Sequence, residues 1–107
     1  MPTIKKSSSC ILVSVVIFSI TLLVTGCSGI YDGEKLFFTV GCSQCHTFNG
    51  RGGRMAPDLS AVTNIRNDNW IDSYLQNPQK INPLSRMPPF AHLSRAKRKA
   101  IIKFLNG

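Results

Sequence analysis

The chain is short of the residues from which most metal and nucleophilic sites are built. Its 107 residues contain two histidines, His46 and His92, and only five acidic side chains against thirteen basic ones. A zinc site built on Cys42 and Cys45 would need two more ligands at similar spacing. Beyond His46, only His92 and Cys27 remain to supply them outside the N-terminal apolar run. Alternation of apolar and polar residues with period two is absent, which argues against a sheet-based domain. No βαβ pattern surrounds the cysteines, so a thioredoxin-like dithiol lacks its context. No internal repeat is visible, and the length suits one small domain. No apolar run reaches the ~20 residues of a membrane-spanning helix. The longest, residues 10–24, has fifteen.

That run suits the apolar region of an export signal instead. Lys5 and Lys6 precede it, and "VTGCSG" follows. Thr25 and Gly26 before Cys27 resemble a bacterial lipobox, which implies cleavage before Cys27 and lipidation of its thiol. The expected organisation is a lipoprotein signal peptide over residues 1–26, a short anchored linker over 27–32 and one domain over 33–107. An uncleaved anchor would also leave the domain outside the cytoplasm. Cys10, inside the run, is a small apolar residue. Two or three acyl chains would hold the protein firmly at a membrane. Cleavage also removes Lys5 and Lys6 from a chain whose formal net charge is +8. The remaining positive charge on an exported protein points to an acidic protein partner or an anionic membrane surface, and away from nucleic acid.

The compartment decides how "GCSQCHTF" is read. Cys42, Cys45 and His46 form a C-x-x-C-H sequence. A bare C-x-x-C is compatible with a zinc half-site, a redox dithiol or a small disulfide. C-x-x-C-H in an exported chain is the attachment motif of c-type haem. Two thiols at this spacing add to two vinyl groups on one porphyrin edge, and the next residue, His46, comes under the iron as proximal ligand. Haem c with its iron, one per chain, is the expected cofactor. The second axial ligand is left open among Met55, Met87 and His92. Met87 stands in "RMPPF", where prolines restrict the backbone and limit the entropy lost in presenting the thioether.

Helical periodicity covers most of the remaining chain. Asp32 is an N-cap candidate, and Gly33, Leu36, Phe37 and Val40 follow at helical spacing. Residues 47–58, "TFNGRGGRMAPD", read as a polar loop too irregular for helix or strand. Asn67 or Asp68 caps a second helix carrying Trp70, Ile71, Tyr74 and Leu75, and Pro78 ends it. "INPLSRMPPF" reads as extended and stiffened by proline. Ser94 caps a terminal helix whose apolar face is Leu93, Ala96, Ala100, Ile101, Phe104 and Leu105, with Gly107 past its end. Its first turns, "RAKRK", set cations against the helix dipole, and Lys97 stands where a capping-box glutamate is expected. Arg95, Lys99 and Lys103 form a ridge opposite the apolar face. The fold class is all-α, a small haem domain.

The segments "GEKLFFTVGCSQCH", "APDL", "WIDSYLQNPQKINPLSRMPPF" and "LSRAKRKAIIKFL" resemble, in order, those of a class I monohaem cytochrome c. The likeness covers nearly all of residues 33–107. It implies N- and C-terminal helices packed around a covalent haem and crossing where Gly33 and Phe37 meet Ile101 and Phe104. It implies Met87 as the axial methionine and Pro57 as the residue whose carbonyl accepts the His46 Nδ1 proton. Trp70 would lie near the haem propionates, with Arg51, Arg54 and Arg66 as further candidates to neutralise them. The expected function is single-electron transfer between redox partners, with no bond-making chemistry. Two other classes remain: an electron-entry subunit of a larger oxidase, reductase or dehydrogenase, and a haem-based gas sensor or peroxidase. An acidic redox partner docking on the Arg95–Lys99–Lys103 ridge completes the expectation.

Overall fold

A computed structural model describes residues 30–107. The export signal, the lipobox, Cys27 and the first residues of the linker lie outside the described residues. Among those described, no helix is long and apolar enough to cross a membrane.

Helix α1 spans Gly33–Thr39, capped by the Asp32 carboxylate, which accepts the Lys35 N–H at 3.0 Å. Gly41, at φ 98°, turns the chain into α2, the single turn Cys42–Cys45. Residues 47–58 are not, as their composition suggests, too irregular for a strand. Thr47–Phe48 (β1) and Arg51–Gly52 (β2) pair antiparallel as a small hairpin. Its two-residue connection is Asn49-Gly50, both with positive φ, 47° and 76°. That geometry matches the right-handed strand twist, and Asn-Gly is the dipeptide that adopts it most readily. The hairpin is too small to change the fold class, which is that of a small helical domain.

A short helix α3, Val62–Ile65, leads into α4, Asp68–Gln76. Asn67 caps α4, its side chain accepting the Trp70 N–H at 2.9 Å. Helix α4 stops before Pro78 as its sequence implies, but Pro78 also starts something. It occupies the first turn of α5, Pro78–Ile81, where a proline's missing N–H costs nothing. The extended segment therefore begins after Ile81. The terminal helix α6, Arg95–Leu105, is capped by Ser94 Oγ.

Helices α1 and α6 cross as the family likeness implies. A Cβ on Gly33 would collide with the Ala100 carbonyl oxygen and lie 2.9 Å from the Phe104 Cβ. Only glycine lets the two backbones approach this closely. Phe37 is fully buried in the crossing, with its ring 5.6 Å from Phe104, and Phe48 of the hairpin reaches the same ring at 4.7 Å. Ile71 and Leu75 of α4, with Ile101, Ile102 and Leu105 of α6, extend this core.

The buried face of α6 differs from the apolar stripe read from its sequence. Ala96 is exposed, while Ile102 and Arg98 are buried. The inward row is 98, 101, 102 and 105, a regular i, i+3, i+4, i+7 set that carries a cation in its first place. Arg98 is accommodated because every side of its head is answered. Its Nε donates to Asp72 Oδ1 at 2.7 Å and its Nη1 to the Leu93 carbonyl at 2.6 Å. One of the "RAKRK" cations is thus a tie between α6 and α4.

Candidate haem site

One helical turn brings the attachment residues together. Cys42 begins α2 and Cys45 ends it, and both are free thiols. His46 follows as C-cap, its N–H bonded to the Cys42 carbonyl at 2.9 Å. Burial pushes the Cys42 thiol up to about 11, only partly opposed by a backbone hydrogen bond. A nucleophilic thiol needs a lowered pKa, so Cys42 is not activated as the attacking cysteine of a dithiol. Among the described residues no group of three or more His, Cys, Asp or Glu is placed to hold a metal ion by itself.

The loop after His46 wraps closely around this turn. Gly53 donates to the Ser43 carbonyl at 2.8 Å, Ala56 to Cys45 at 2.9 Å and Leu59 to Thr47 at 2.8 Å. A Cβ on Gly52 would strike the His46 carbonyl, and one on Gly53 the Gln44 carbonyl. The glycines that make "GRGG" look shapeless are therefore what allow backbone to lie on backbone. A polar latch closes the far end. Asp58 accepts the Ser60 N–H at 2.8 Å, and Ser60 Oγ accepts the Asn49 N–H at 2.8 Å. The Ser60 hydroxyl, followed by its N–H, holds the Asp58 carboxyl below its ordinary value.

Pro57 lies between these contacts. Its carbonyl oxygen is 2.7 Å from His46 Nδ1. A carbonyl can only accept, so Nδ1 carries a proton and donates it, and in the neutral imidazole this leaves the lone pair on Nε2. That is the tautomer a metal-ligating imidazole requires, with the orienting contact such ligands normally have.

The other candidates separate by environment. Met87 is half-buried against the core. Its N–H donates to Ser85 Oγ at 3.3 Å, and its carbonyl accepts from Gln79 Nε2 at 2.8 Å. Met55 is 84% exposed on the loop, and His92 is exposed in the turn before α6. Trp70 is half-buried, its ring stacked on Tyr74 at 4.9 Å and covered by the Arg66 guanidinium at 4.5 Å. Arg51 pairs with Glu34 at 2.7 Å and lies over the Phe38 ring, so its charge is already partly answered. Sequence pattern assigns nothing to Gln79 or Ser85 and gives Tyr74 only a place on the apolar face of α4. The Tyr74 hydroxyl donates to Ser85 Oγ at 3.0 Å, which joins α4 to the Met87 segment.

Two free thiols on one turn, an imidazole with Nε2 available and a braced, half-buried thioether fit covalent haem. These features and the helical fold define a small c-type haem domain. The cytochrome c family model matches residues 30–107, and the chain belongs to that family. Its members bind haem c covalently through the porphyrin edge and transfer electrons through its iron, generally without acting as enzymes. A search among curated proteins finds no match to the chain.

Proposed function

We propose that this chain is an extracytoplasmic, lipid-anchored monohaem cytochrome c carrying single electrons between redox partners. The observation that most supports the reading is the His46 Nδ1–Pro57 carbonyl contact at 2.7 Å, directly after two free thiols. When bound, haem supplies an iron that cycles between ferrous and ferric, with no substrate bond made or broken. Cys42 and Cys45 would hold it covalently, and His46 Nε2 and the Met87 sulfur would ligate its iron. Pro57 fixes the imidazole tautomer, and Trp70, with Arg66 over its ring, would neighbour the propionates. A sixth protein ligand closes the iron to exogenous ligands, which separates a carrier from a sensor or peroxidase.

The membrane anchor is the Cys27 lipid, and the short linker keeps the domain near the bilayer on the extracytoplasmic side. The redox partner presents an acidic surface to Arg95, Lys99 and Lys103. All three are exposed and edge a groove between α4 and α6. Attachment of the same domain to a larger oxidoreductase as its electron-entry subunit uses the identical site.

The test is the absorption spectrum of the matured, reduced protein with and without carbon monoxide. An unchanged spectrum is expected. Formation of a carbon monoxide complex would mean an open distal position and would sink the carrier reading in favour of sensing or catalysis. Met87→Ala is the positive control, since removal of the thioether opens the iron.

A further inference from the structure

The Met87 segment is held by an unusually small number of donors. Pro88 and Pro89 follow it and contribute no N–H groups. Backbone support resumes only at Phe90, whose N–H donates to the Leu75 carbonyl at 2.7 Å. Ahead of Met87, Ser85 N–H bonds to Asn82 at 2.9 Å. Between these points side chains hold the segment, Ser85 Oγ on the Met87 N–H and Gln79 on the carbonyls. Gln79, on the one-turn helix α5, donates from Nε2 to the Ser85 carbonyl at 3.0 Å and to the Met87 carbonyl at 2.8 Å.

The chemistry of that contact fixes which end of the amide faces the segment. Two carbonyl oxygens are acceptors only, so the amide nitrogen must meet them, and its two hydrogens are both used. The Met87 N–H is answered by Ser85 Oγ, itself bonded by Tyr74. Both backbone polar groups of Met87 are therefore set by side chains, and among the described residues the carbonyl depends on Gln79 alone.

We propose that Gln79 is a positioning residue for the axial thioether: by clasping the Ser85 and Met87 carbonyls it holds the Met87 backbone in the conformation that presents its sulfur to the iron. The proposal rests on the reading of Met87 as the sixth ligand. Gln79 touches neither iron nor haem in this role. It sets how readily Met87 yields the iron position to a competitor.

The experiment measures imidazole binding to the ferric, haem-loaded protein and the pH at which the thioether-to-iron charge-transfer band is lost. Parent, Gln79→Ala, Gln79→Glu and Met87→Ala are compared, and each variant's urea midpoint is recorded. Gln79→Ala is expected to raise imidazole affinity about tenfold, the weight of one or two lost hydrogen bonds on the competing ligand. It should also lower the pH at which the band disappears. Gln79→Glu keeps the shape but sets a carboxylate against two carbonyl oxygens, so its effect should be larger. Affinities within about twofold of the parent for both variants would overturn the proposal, as no hydrogen bond of ordinary strength would then act on the ligand. A fall in global stability that accounts for the whole change would overturn it too, since Gln79 would then be merely structural. Met87→Ala separates the two failures. If it leaves spectrum and affinity unchanged, the Met87 assignment falls and the proposal with it. If it raises affinity strongly while both Gln79 variants do not, the Gln79 role alone falls.

Discussion

Two ion pairs in this domain have the same N–O distance, 2.7 Å, and opposite surroundings. Arg98 and Asp72 are 8% and 23% exposed, whereas Arg51 and Glu34 are 62% and 50% exposed. Distance alone would rank them equally; burial predicts otherwise. Asp72→Ala leaves the Arg98 guanidinium buried with only the Leu93 carbonyl as partner. The expected cost is about 3 kcal/mol, the low end for stripping one partner from a buried pair, because Asp72 keeps some water. That would be roughly 30–60% of the total stability of a domain with about 5–10 kcal/mol to lose. Glu34→Gln should cost no more than about 0.5 kcal/mol, as for exposed pairs. The double variant Asp72→Leu with Arg98→Met removes both charges and should return to within about 1 kcal/mol of the parent. Urea unfolding of the haem-loaded protein is the assay, since an uncharged denaturant leaves the pairs unscreened. If Asp72→Ala and Glu34→Gln cost the same, burial does not set the weight of these pairs. If the double variant remains as unstable as Asp72→Ala, the cost lies in lost packing and not in a stranded charge.

Two further outcomes test how the protein is placed and whom it meets. Cys27→Ser should move the mature haem protein from the membrane fraction to the soluble fraction; retention at the membrane would remove the lipid anchor from the reading. Reversing Arg95, Lys99 and Lys103 to glutamate should slow electron exchange with an acidic redox protein and flatten its dependence on ionic strength, because steering between opposite charges is screened by salt. Unchanged rates and salt dependence would leave the ridge as a solvated face.

What was legible in the sequence was whatever a local pattern dictates. C-x-x-C-H forces two thiols and an imidazole onto one turn and needs no tertiary information. Asp32, Asn67 and Ser94 each cap a helix through their own side chains, a contact of three residues' reach. Gly33 was legible through the family likeness, and the collision a Cβ would suffer there supplies the physical reason. The hairpin at Asn49-Gly50 carried a clear local signal that the abundance of glycine and arginine around it obscured. Arg98 carried none. An arginine in a run of cations looks solvated, and only the placement of Asp72 on α4, twenty-six residues earlier, turns it inward. Gln79 was illegible for the same reason, since its two acceptors are backbone carbonyls and no residue type announces them.

The two sides of the proposed iron site are consequently built from different materials. On the His46 side, backbone lies directly on backbone: Gly53 on Ser43, Ala56 on Cys45, and a proline carbonyl on the imidazole. Those contacts form only if the whole loop is in place, so they are gained and lost together. On the Met87 side, prolines remove the donors a backbone ladder would need, and exposed Gln79 and half-buried Ser85 take their place. Side-chain contacts of this kind can open one at a time, with little disturbance to the helices beneath. The thioether is therefore expected to be the first ligand surrendered under alkali or competing ligand, while His46 stays until the fold itself gives way. A cytochrome arranged so keeps its haem attached and oriented by its least deformable part and leaves ligand exchange to the part that is easiest to move.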